Sequence, residues 1–121
     1  MVAAPSPPEY LIQASIVAWL KLMVPHCVTW STPNGVVAAP REIAKLKWTG
    51  LLPGMPDLAV ALPAGKVLFL EVNRPGNYLE PVQRAVISDL RSLGHQVEVV
   101  HSIDEVKAAL TALGIKTREA A

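Results

Sequence analysis

The stretches Gly54-Met55-Pro56-Asp57-Leu58 and Glu71-Val72-Asn73 enclose the part of the chain that decides its fold. Between them, residues 57–62 and 66–72 form two aliphatic runs of the kind that is typical of β-strands. The two runs are joined by three residues, Pro63-Ala64-Gly65, and a three-residue link that contains glycine is typical of a hairpin loop. This part of the chain therefore predicts two antiparallel strands that pair with each other.

The hairpin brings two acidic residues together. If it is centred on Ala64, Asp57 lies directly opposite Glu71, with both side chains on the same face of the sheet. Like charges in that position destabilise a sheet unless something neutralises them. Mg²⁺ characteristically does so, using one or two carboxylates together with waters and phosphate oxygens. We therefore predict a divalent-metal site here; the alternative is a solvated pair at a fraying sheet edge.

Length and composition predict one compact domain over residues 1–121, with flexible ends at 1–8 and 115–121. The hydrophobic share of 51% is that of a globular chain. Because Cys27 is the only cysteine and there are three histidines, an internal disulfide and a cysteine-rich zinc site are excluded, and a reducing, intracellular setting is expected. The longest apolar run, residues 11–20, is too short and too amphipathic to span a bilayer, so we expect no membrane contact.

The net charge of only +1 limits how the chain could bind nucleic acid. A protein that depends on non-specific attraction to phosphates usually carries a marked basic excess. Any such contact must therefore come from a metal or from local clusters of cations. The candidate clusters, each of which could equally be an ordinary solvated face, are Arg41, Lys45 and Lys47 beside Trp48, and Arg74 with Arg84.

The hydrophobic periodicity predicts the element order α-β-α-β-β-α-β-α and hence an α/β fold. The first helix is predicted to begin with Ser6 as N-cap and Glu9 completing a capping box, and to end before Pro25. The hairpin strands are apolar on both faces, as central strands covered by helices are. The other predicted elements are a strand at 26–30, a helix at 40–48, a helix from Pro81 to Gly94, a strand at 96–100, and a helix capped by Ser102 and Glu105.

The ordered set of motifs resembles the PD-(D/E)xK nucleases, and most closely their VRR-NUC (virus-type replication-repair nuclease) branch. That branch looks like Gly-x-Pro-Asp-Leu, a hairpin into Glu-x-Lys, a Gly-rich loop and a helix bearing Gln, with an acid on the first helix. The resemblance implies a restriction-endonuclease-like core, with a mixed sheet flanked by helices. The matching residues are Gly54 to Leu58, Glu71 to Asn73, Arg74 to Gly76, Gln83 and Glu9.

The same resemblance implies metal-dependent phosphodiester hydrolysis, with Mg²⁺ or Mn²⁺ as cofactor. Asp57, Glu71 and the backbone carbonyl of Val72 would hold the ion, which activates a water and stabilises charge on the phosphate oxygens. Glu9 would ligate a second ion or its waters, or be only a capping-box acceptor. Gln83 would orient the phosphate or a metal-bound water, or be an ordinary exposed helix residue.

For contact with DNA, the resemblance points to the region of Asn34 and Arg41, where phosphate contacts are expected. Lys45, Lys47 and Arg74 are the further candidates.

One position departs from the family pattern, because Asn73 stands where the family has its lysine. That lysine resembles a cation that orients and helps deprotonate the attacking water, or offsets charge on the phosphate, whereas an asparagine amide supplies no charge. Three explanations are open: an inactivated variant, a natural member with weak activity, or a lysine that has moved. We favour inactivation, since every other motif is in place. The candidates for a moved lysine are Lys45, Lys47 and Lys66, and Lys66 is disfavoured by its place at the opposite end of its strand.

Three functions are consistent with these residues. The first is an endonuclease of branched or structured DNA such as a Holliday junction, acting as a homodimer in the cytoplasm of a bacterial host if phage-encoded. The second is a structure-specific DNA-binding module without catalysis, and the third is an unrelated α/β protein-interaction domain. Apolar candidates for the dimer contact, which could instead pack against the first helix, are Trp48, Leu51 and Leu52.

Overall fold

The computed structural model of the chain describes residues 7–33 and 38–118. Four α-helices and four strands follow one another along these residues in the predicted order. They are α1 (Glu9–Met23), β1 (Val28–Ser31), α2 (Pro40–Trp48), β2 (Leu58–Ala61), β3 (Val67–Val72), α3 (Pro81–Ser92), β4 (Gln96–Val100) and α4 (Ile103–Ala112).

The strands form one sheet whose spatial order is the chain order, β1-β2-β3-β4. β3 and β4 are parallel, whereas β1–β2 and β2–β3 are antiparallel. The parallel pair needs a crossover connection, and α3 supplies it. The predicted α/β fold, a mixed sheet flanked by helices, is therefore confirmed.

The β2–β3 hairpin has the register predicted from its loop. Leu58 faces Leu70, and the N–H of Leu62 donates to the carbonyl of Lys66 at 2.8 Å. A single 3₁₀ turn, Pro63–Gly65, closes the hairpin. Continued by one position, the register places Asp57 opposite Glu71, because each residue has a single partner in a regular ladder.

The helices divide between the two faces of the sheet. One face packs on α1 and α4 and forms the main hydrophobic core. α3 covers the other face, where its Val86 and Ile87 are buried. The largest fully buried side chains of the main core are Ile16, Leu20, Leu58, Leu68, Leu70, Leu110, Val60, Val72, Val100 and Val106.

The start of α1 differs from the prediction. The helix begins at Glu9, with Pro8 as its N-cap residue and no side-chain cap hydrogen bond, so the predicted start at a Ser6–Glu9 capping box is wrong. A helix capped at residue 6 would begin at Pro7, but the residue before a proline is driven out of the α conformation, and Pro7 precedes Pro8. Ser6 itself lies outside the described residues, as do residues 1–6 and 119–121 of the predicted flexible ends.

The other boundaries follow the sequence closely. β1 starts two residues later than predicted, because His26 has a φ of 60°, a left-handed conformation that belongs to a turn. At α4 the Ser102 hydroxyl accepts from the N–H of Glu105, as predicted, whereas the Glu105 carboxylate binds the N–H of His101. Within the described ranges, no helix has the length and apolar character that a membrane crossing requires.

Candidate active site

Two carboxylates lie side by side where β2 begins and β3 ends. Asp57 precedes the first residue of β2, and its Oδ2 accepts the N–H of Val72 at 2.8 Å. Glu71 is only 3% exposed and lies opposite Asp57. We call Asp57 and Glu71 the acid pair; the structure brings them together as the hairpin register requires.

The acid pair holds a proton that a cation could replace. Burial raises the pKa of Glu71 to about 9, and the charge of Asp57, the hydrogen bond between the two carboxyl groups and the charge of Glu9 act in the same direction. Two carboxylates this close cannot both ionise at neutral pH without a compensating charge. Divalent-ion binding would therefore release a proton from the pair.

Gln83 joins α3 to the acid pair. Its Nε2 donates to Oε1 of Glu71 at 3.1 Å, and its Oε1 accepts the N–H of Glu80 at 2.7 Å. Because Glu80 is the N-cap residue of α3, one side chain both caps the helix and touches the site. The backbone bond fixes which end of the amide faces Glu71, so the glutamine presents donors to the site and not its carbonyl.

The oxygens of this site fit a hard divalent cation. The Oε2 of Glu71 is buried and accepts no hydrogen bond from the N–H and O–H donors of the described residues. Pro56 stands opposite Val72 in the hairpin register and has no N–H, so it cannot supply a sheet donor to the Val72 carbonyl. No cluster of three or more His, Cys, Asp or Glu able to hold a metal occurs within residues 7–33 and 38–118. Two carboxylates and a backbone carbonyl suit Mg²⁺, which keeps several of its waters.

Asn73, at the position of the family lysine, is part of a closed loop. Its side chain is 7% exposed, and its Nδ2 donates to the carbonyl of Asn77 at 3.3 Å. Its backbone N–H donates to the carbonyl of Val100 at 3.0 Å, which prolongs the β3–β4 pairing. The side chain therefore holds the loop over residues 74–76 and brings no charge to the acid pair.

Gly54 keeps the loop before β2 against the first turn of α3. It has a φ of +93°, and a Cβ built on it would lie 2.7 Å from the carbonyl oxygen of Val82. Val82 is the neighbour of Gln83, so this contact sets the distance between the acid pair and α3. No other residue fits both the backbone conformation and the space.

Replacing Gly54 with alanine is therefore expected to destabilise the protein by roughly 2–4 kcal/mol, because backbone strain and a clash with backbone atoms add. The matched control is Gly94→Ala, since Gly94 has nearly the same φ of +92° but nothing within 4 Å of an added Cβ. Strain alone should cost that variant about 1 kcal/mol. Urea denaturation measures both, and equal losses would show that the contact with Val82 is unimportant.

Glu9 is the first residue of α1, and the structure brings it near the acid pair. Its charge is one of the causes that raise the pKa of Glu71. Its alternative role as the acceptor of a capping box is wrong, since the helix begins at Glu9 itself. Ligation of a second ion by Glu9 stays a prediction.

The predicted DNA-binding cations lie in two separate parts of the chain, on α2 and in the loop after β3. Arg41, Lys45 and Lys47 are exposed on α2, a helix that buries none of its residues. Arg74 is half-buried in the loop after β3, and Asn34 lies outside the described residues. As for a moved lysine, Lys66 donates from its Nζ to the carbonyl of Leu113 at 2.7 Å, at the C-terminal end of α4 and away from the acid pair.

Two contributors were missed at the level of sequence. Glu80 orients Gln83 through its backbone N–H, and the Glu80-x-x-Gln83 spacing, which resembles a capping box, could have indicated this. Thr32 donates its N–H to the carbonyl of Asp57 at 2.9 Å and its hydroxyl to that of Pro56. No local sequence pattern indicates the contacts of Thr32, because Thr32 lies far from Pro56 and Asp57 in the chain.

The mixed sheet, the acid pair and the glutamine on α3 together define an α/β domain of the nuclease class. The VRR-NUC domain model matches residues 7–104, and the chain belongs to the VRR-NUC family. A curated relative, "Putative nuclease p44" of Acyrthosiphon pisum secondary endosymbiont phage 1, is 39% identical over 77 residues, which are 61% of this chain and 83% of that protein.

Two solved structures share the fold. One, described as "VRR_NUC domain protein", superposes with a TM-score of 0.72 at 22% identity, covering 90% of this chain and 89% of the other. A second, "VRR_NUC domain", has a TM-score of 0.58 at 23% identity and covers 85% of this chain and 94% of the other. At these identities the likeness shows the fold alone.

Proposed function

We propose that the chain is a divalent-metal-dependent endonuclease that hydrolyses phosphodiester bonds in branched DNA, such as Holliday junctions. The observation that carries the proposal is the buried Oε2 of Glu71, which accepts a hydrogen bond from no donor group of the described residues and lies beside a second carboxylate, Asp57. An unsatisfied buried oxygen of this kind is costly, and a cation would satisfy it. Membership in the VRR-NUC family supports the same chemistry.

In this proposal Asp57, Glu71 and the Val72 carbonyl hold one Mg²⁺ or Mn²⁺. When bound, the ion supplies an activated water and offsets charge on the phosphate oxygens. The chain contributes rigidity: the Val72 N–H fixes Asp57 at 2.8 Å, and Gln83 fixes Glu71 at 3.1 Å. Side chains held in this way need little reorganisation when ligand binds.

Gln83 is assigned a positioning role towards the substrate. One hydrogen of its Nε2 is directed to Glu71, and its Oε1 is occupied by the Glu80 N–H. The second hydrogen of the amide is then available to a phosphate oxygen or a water.

Asn73 limits the proposed activity. It cannot offset charge on the phosphate, and its amide donates to Asn77. The same contact favours the second candidate function, a structure-specific DNA-binding module without catalysis, because the side chain serves the loop. A protein-interaction domain, the third candidate, has no support from the family match.

The DNA would be held by local cations, since the net charge is only +1. Arg41, Lys45 and Lys47 share one exposed helix, α2, and Arg74 follows the acid pair. Phosphate contacts of this kind position a nucleic acid without reading its sequence. Recognition by shape is consistent with a branched substrate.

The proposal is tested with end-labelled DNA of equal length in blunt duplex, flap and four-way forms, incubated with Mg²⁺, Mn²⁺ or EDTA. We expect slow, metal-dependent cleavage of the branched forms, with a small effect on the duplex. Metal-independent binding of the branched forms without cleavage would favour the second candidate. If the protein neither binds nor cleaves any of the three forms, both candidate functions are excluded.

We further propose a homodimer that pairs two active sites for a symmetric substrate. The sequence left open that the candidates for the dimer contact pack against α1 instead. Trp48 does not pack there, because it is 89% exposed, and Leu52 is 53% exposed. Leu52 belongs to an apolar surface that it forms together with Leu46, Leu51 and Met55. Exposed apolar patches often mark interfaces.

Leu52→Glu is expected to convert the dimer to monomer at roughly tens of micromolar protein, because a charge would be buried against the partner. Leu93→Glu is the control, as Leu93, the residue directly after α3, is 75% exposed and lies outside this surface. Light scattering distinguishes the two states. An unaltered chain that is already monomeric would contradict the dimer.

A further inference from the structure

A cleft of about 370 Å³ lies between α3 and the edge strand β4, and we call it the α3–β4 cleft. The described residues that line it are Leu79, Arg84, Ile87, Ser88, Arg91 and Val99. Arg84, Ser88 and Arg91 have the spacing i, i+4 and i+7, which places them in one stripe along the helix. The stripe extends over about 10 Å of the helix axis, so the cleft can accept a chain and not only a single small group.

The α3–β4 cleft lies on the face of the sheet to which the acid pair belongs. Val99 is the partner of Glu71 in the parallel pairing of β3 and β4, and the side chains of such partners share a face. The helix that forms the opposite wall also carries Gln83, whose amide donates to Glu71. Arg84 directly follows Gln83 in the chain. The cleft is therefore next to the acid pair, on the side of β4.

Two guanidinium groups give the α3–β4 cleft a positive charge that its lining does not offset. None of the described residues that line it is acidic, and neither Arg84 nor Arg91 forms an ion pair within residues 7–33 and 38–118. Arg91 is held in place, because its Nε and Nη2 both donate to the carbonyl of Val97, at 3.2 and 2.7 Å. Its other N–H groups are left for a ligand. Arginine is the side chain best suited to phosphate oxygens, which it binds with two parallel hydrogen bonds.

A strand from a second copy of this chain is the competing occupant, because β4 is an edge of the sheet. Two features argue against it. An added strand would need the carbonyl of Val97 on the open side of β4, and Arg91 already occupies that carbonyl. In a symmetric dimer formed through this edge, the arginines of both copies would also meet, and like charges repel. The same charges attract a phosphate backbone.

We propose that the α3–β4 cleft binds the sugar–phosphate backbone of the DNA strand that is cut, with successive phosphates on Arg84 and Arg91. The inference rests on the proposed function and deepens it, because it gives the direction in which the strand leaves the acid pair: along α3, towards the C-terminal end of that helix. Such contacts neutralise phosphates without reading bases. They supply the local positive charge that a chain with a net charge of only +1 needs in order to bind DNA.

The salt dependence of DNA affinity tests this proposal, because each lost phosphate contact lowers the steepness of log K against log salt concentration by about one. Binding of a labelled four-way junction is measured in EDTA by fluorescence anisotropy at several KCl concentrations. Arg84→Gln and Arg91→Gln are each expected to lower the steepness by about one, and the affinity at low salt by roughly tenfold. The double variant should lower the steepness by about two.

Arg118→Gln is the matched control. It removes the same charge from an exposed residue that follows α4, on the other face of the sheet, and it should leave the steepness unchanged. Arg84→Lys retains the charge and should also keep the steepness. Thermal melting is measured for every variant, because Arg91→Gln loses the bonds to Val97. Arg84→Gln breaks no side-chain hydrogen bond within the described residues, and it decides the matter if Arg91→Gln does not fold.

A steepness in Arg84→Gln equal to that of the unaltered chain and of Arg118→Gln would overturn the proposal, and so would a failure of the unaltered chain to bind the junction. Light scattering provides a further check. If Arg91→Gln forms dimers while its salt dependence is unchanged, Arg91 only shields the edge of the sheet, and the assignment to DNA is wrong.

The outcome is separable from that of the proposed function, because binding in EDTA does not require cleavage. A chain whose salt dependence falls in Arg84→Gln but which cleaves nothing with Mg²⁺ or Mn²⁺ would retain the cleft as a DNA-binding surface and lose the nuclease. A chain that cleaves the junction while both arginine variants keep the full salt dependence would retain the nuclease and lose the cleft.

Discussion

Replacing Asn73 with lysine is expected to raise the rate of DNA cleavage by about 10²–10³-fold, the size of effect typical for one group that stabilises charge in a transition state. The position lies two residues after Glu71, on the same side of the strand, so a cation there is directed towards the same end of the sheet. Affinity for DNA should change little, because one added charge contributes more to the reacting phosphate than to binding. Single-turnover cleavage with Mn²⁺ measures the rate, and anisotropy in EDTA measures the affinity.

Asn73→Met is the control, because it lengthens the side chain without adding charge. Like the lysine variant, it loses the hydrogen bond to the Asn77 carbonyl, so any damage to the loop appears in both. If the unaltered chain already cleaves as fast as Asn73→Lys, asparagine suffices or Lys45 or Lys47 acts instead. The assignment of position 73 would then be wrong.

Glu71→Gln is expected to abolish divalent-ion binding and to flatten the dependence of metal-free stability on pH. The pKa of Glu71 is raised from 4.5 to about 9 in the folded chain. Between these values the unfolded chain is ionised and the folded chain protonated, so stability is full at low pH and is lost as pH rises. The loss from this group is at most about 1.4 kcal/mol for each pH unit. Glutamine cannot ionise, and the variant should therefore be the more stable protein at pH 8.

Denaturation in EDTA between pH 5 and 8, with calorimetric titration of Mn²⁺, measures both effects, since the pH range lies between the two pKa values. Glu98→Gln is the control. Glu98 of β4 pairs with Leu70 of β3 and therefore faces the opposite side of the sheet from Glu71. If the free energy of unfolding of Glu71→Gln still falls as the pH rises, another group is responsible for the pH dependence. Undiminished Mn²⁺ binding in the same variant would remove the acid pair as the metal site.

The hairpin and most of the helices could be predicted from short-range information. The three-residue loop at Pro63–Gly65 fixes which residues of β2 and β3 pair, and thereby puts Asp57 opposite Glu71. The helix at 40–48 and the strand at 96–100 were predicted with the bounds that the structure has for α2 and β4. Such features depend on contacts within a few residues, which a single sequence contains in full. The start of α1 is the exception, where a steric effect between Pro7 and Pro8 outweighed a capping pattern.

The working state of the acid pair depends on packing between distant parts of the chain. Glu71 is buried in the folded chain, and that burial is the largest of the causes that raise its pKa, ahead of the charge and hydrogen bond of Asp57 and the charge of Glu9. Gly54 and Val82, in the loop before β2 and in α3, meet only because the sheet and α3 pack together, and that contact places Gln83 against Glu71. A carboxylate pair, a glutamine and a glycine can be read along the chain, but desolvation and close approach are properties of the folded core. The sequence therefore names the residues of the site, and tertiary packing gives them their charge state and their distances.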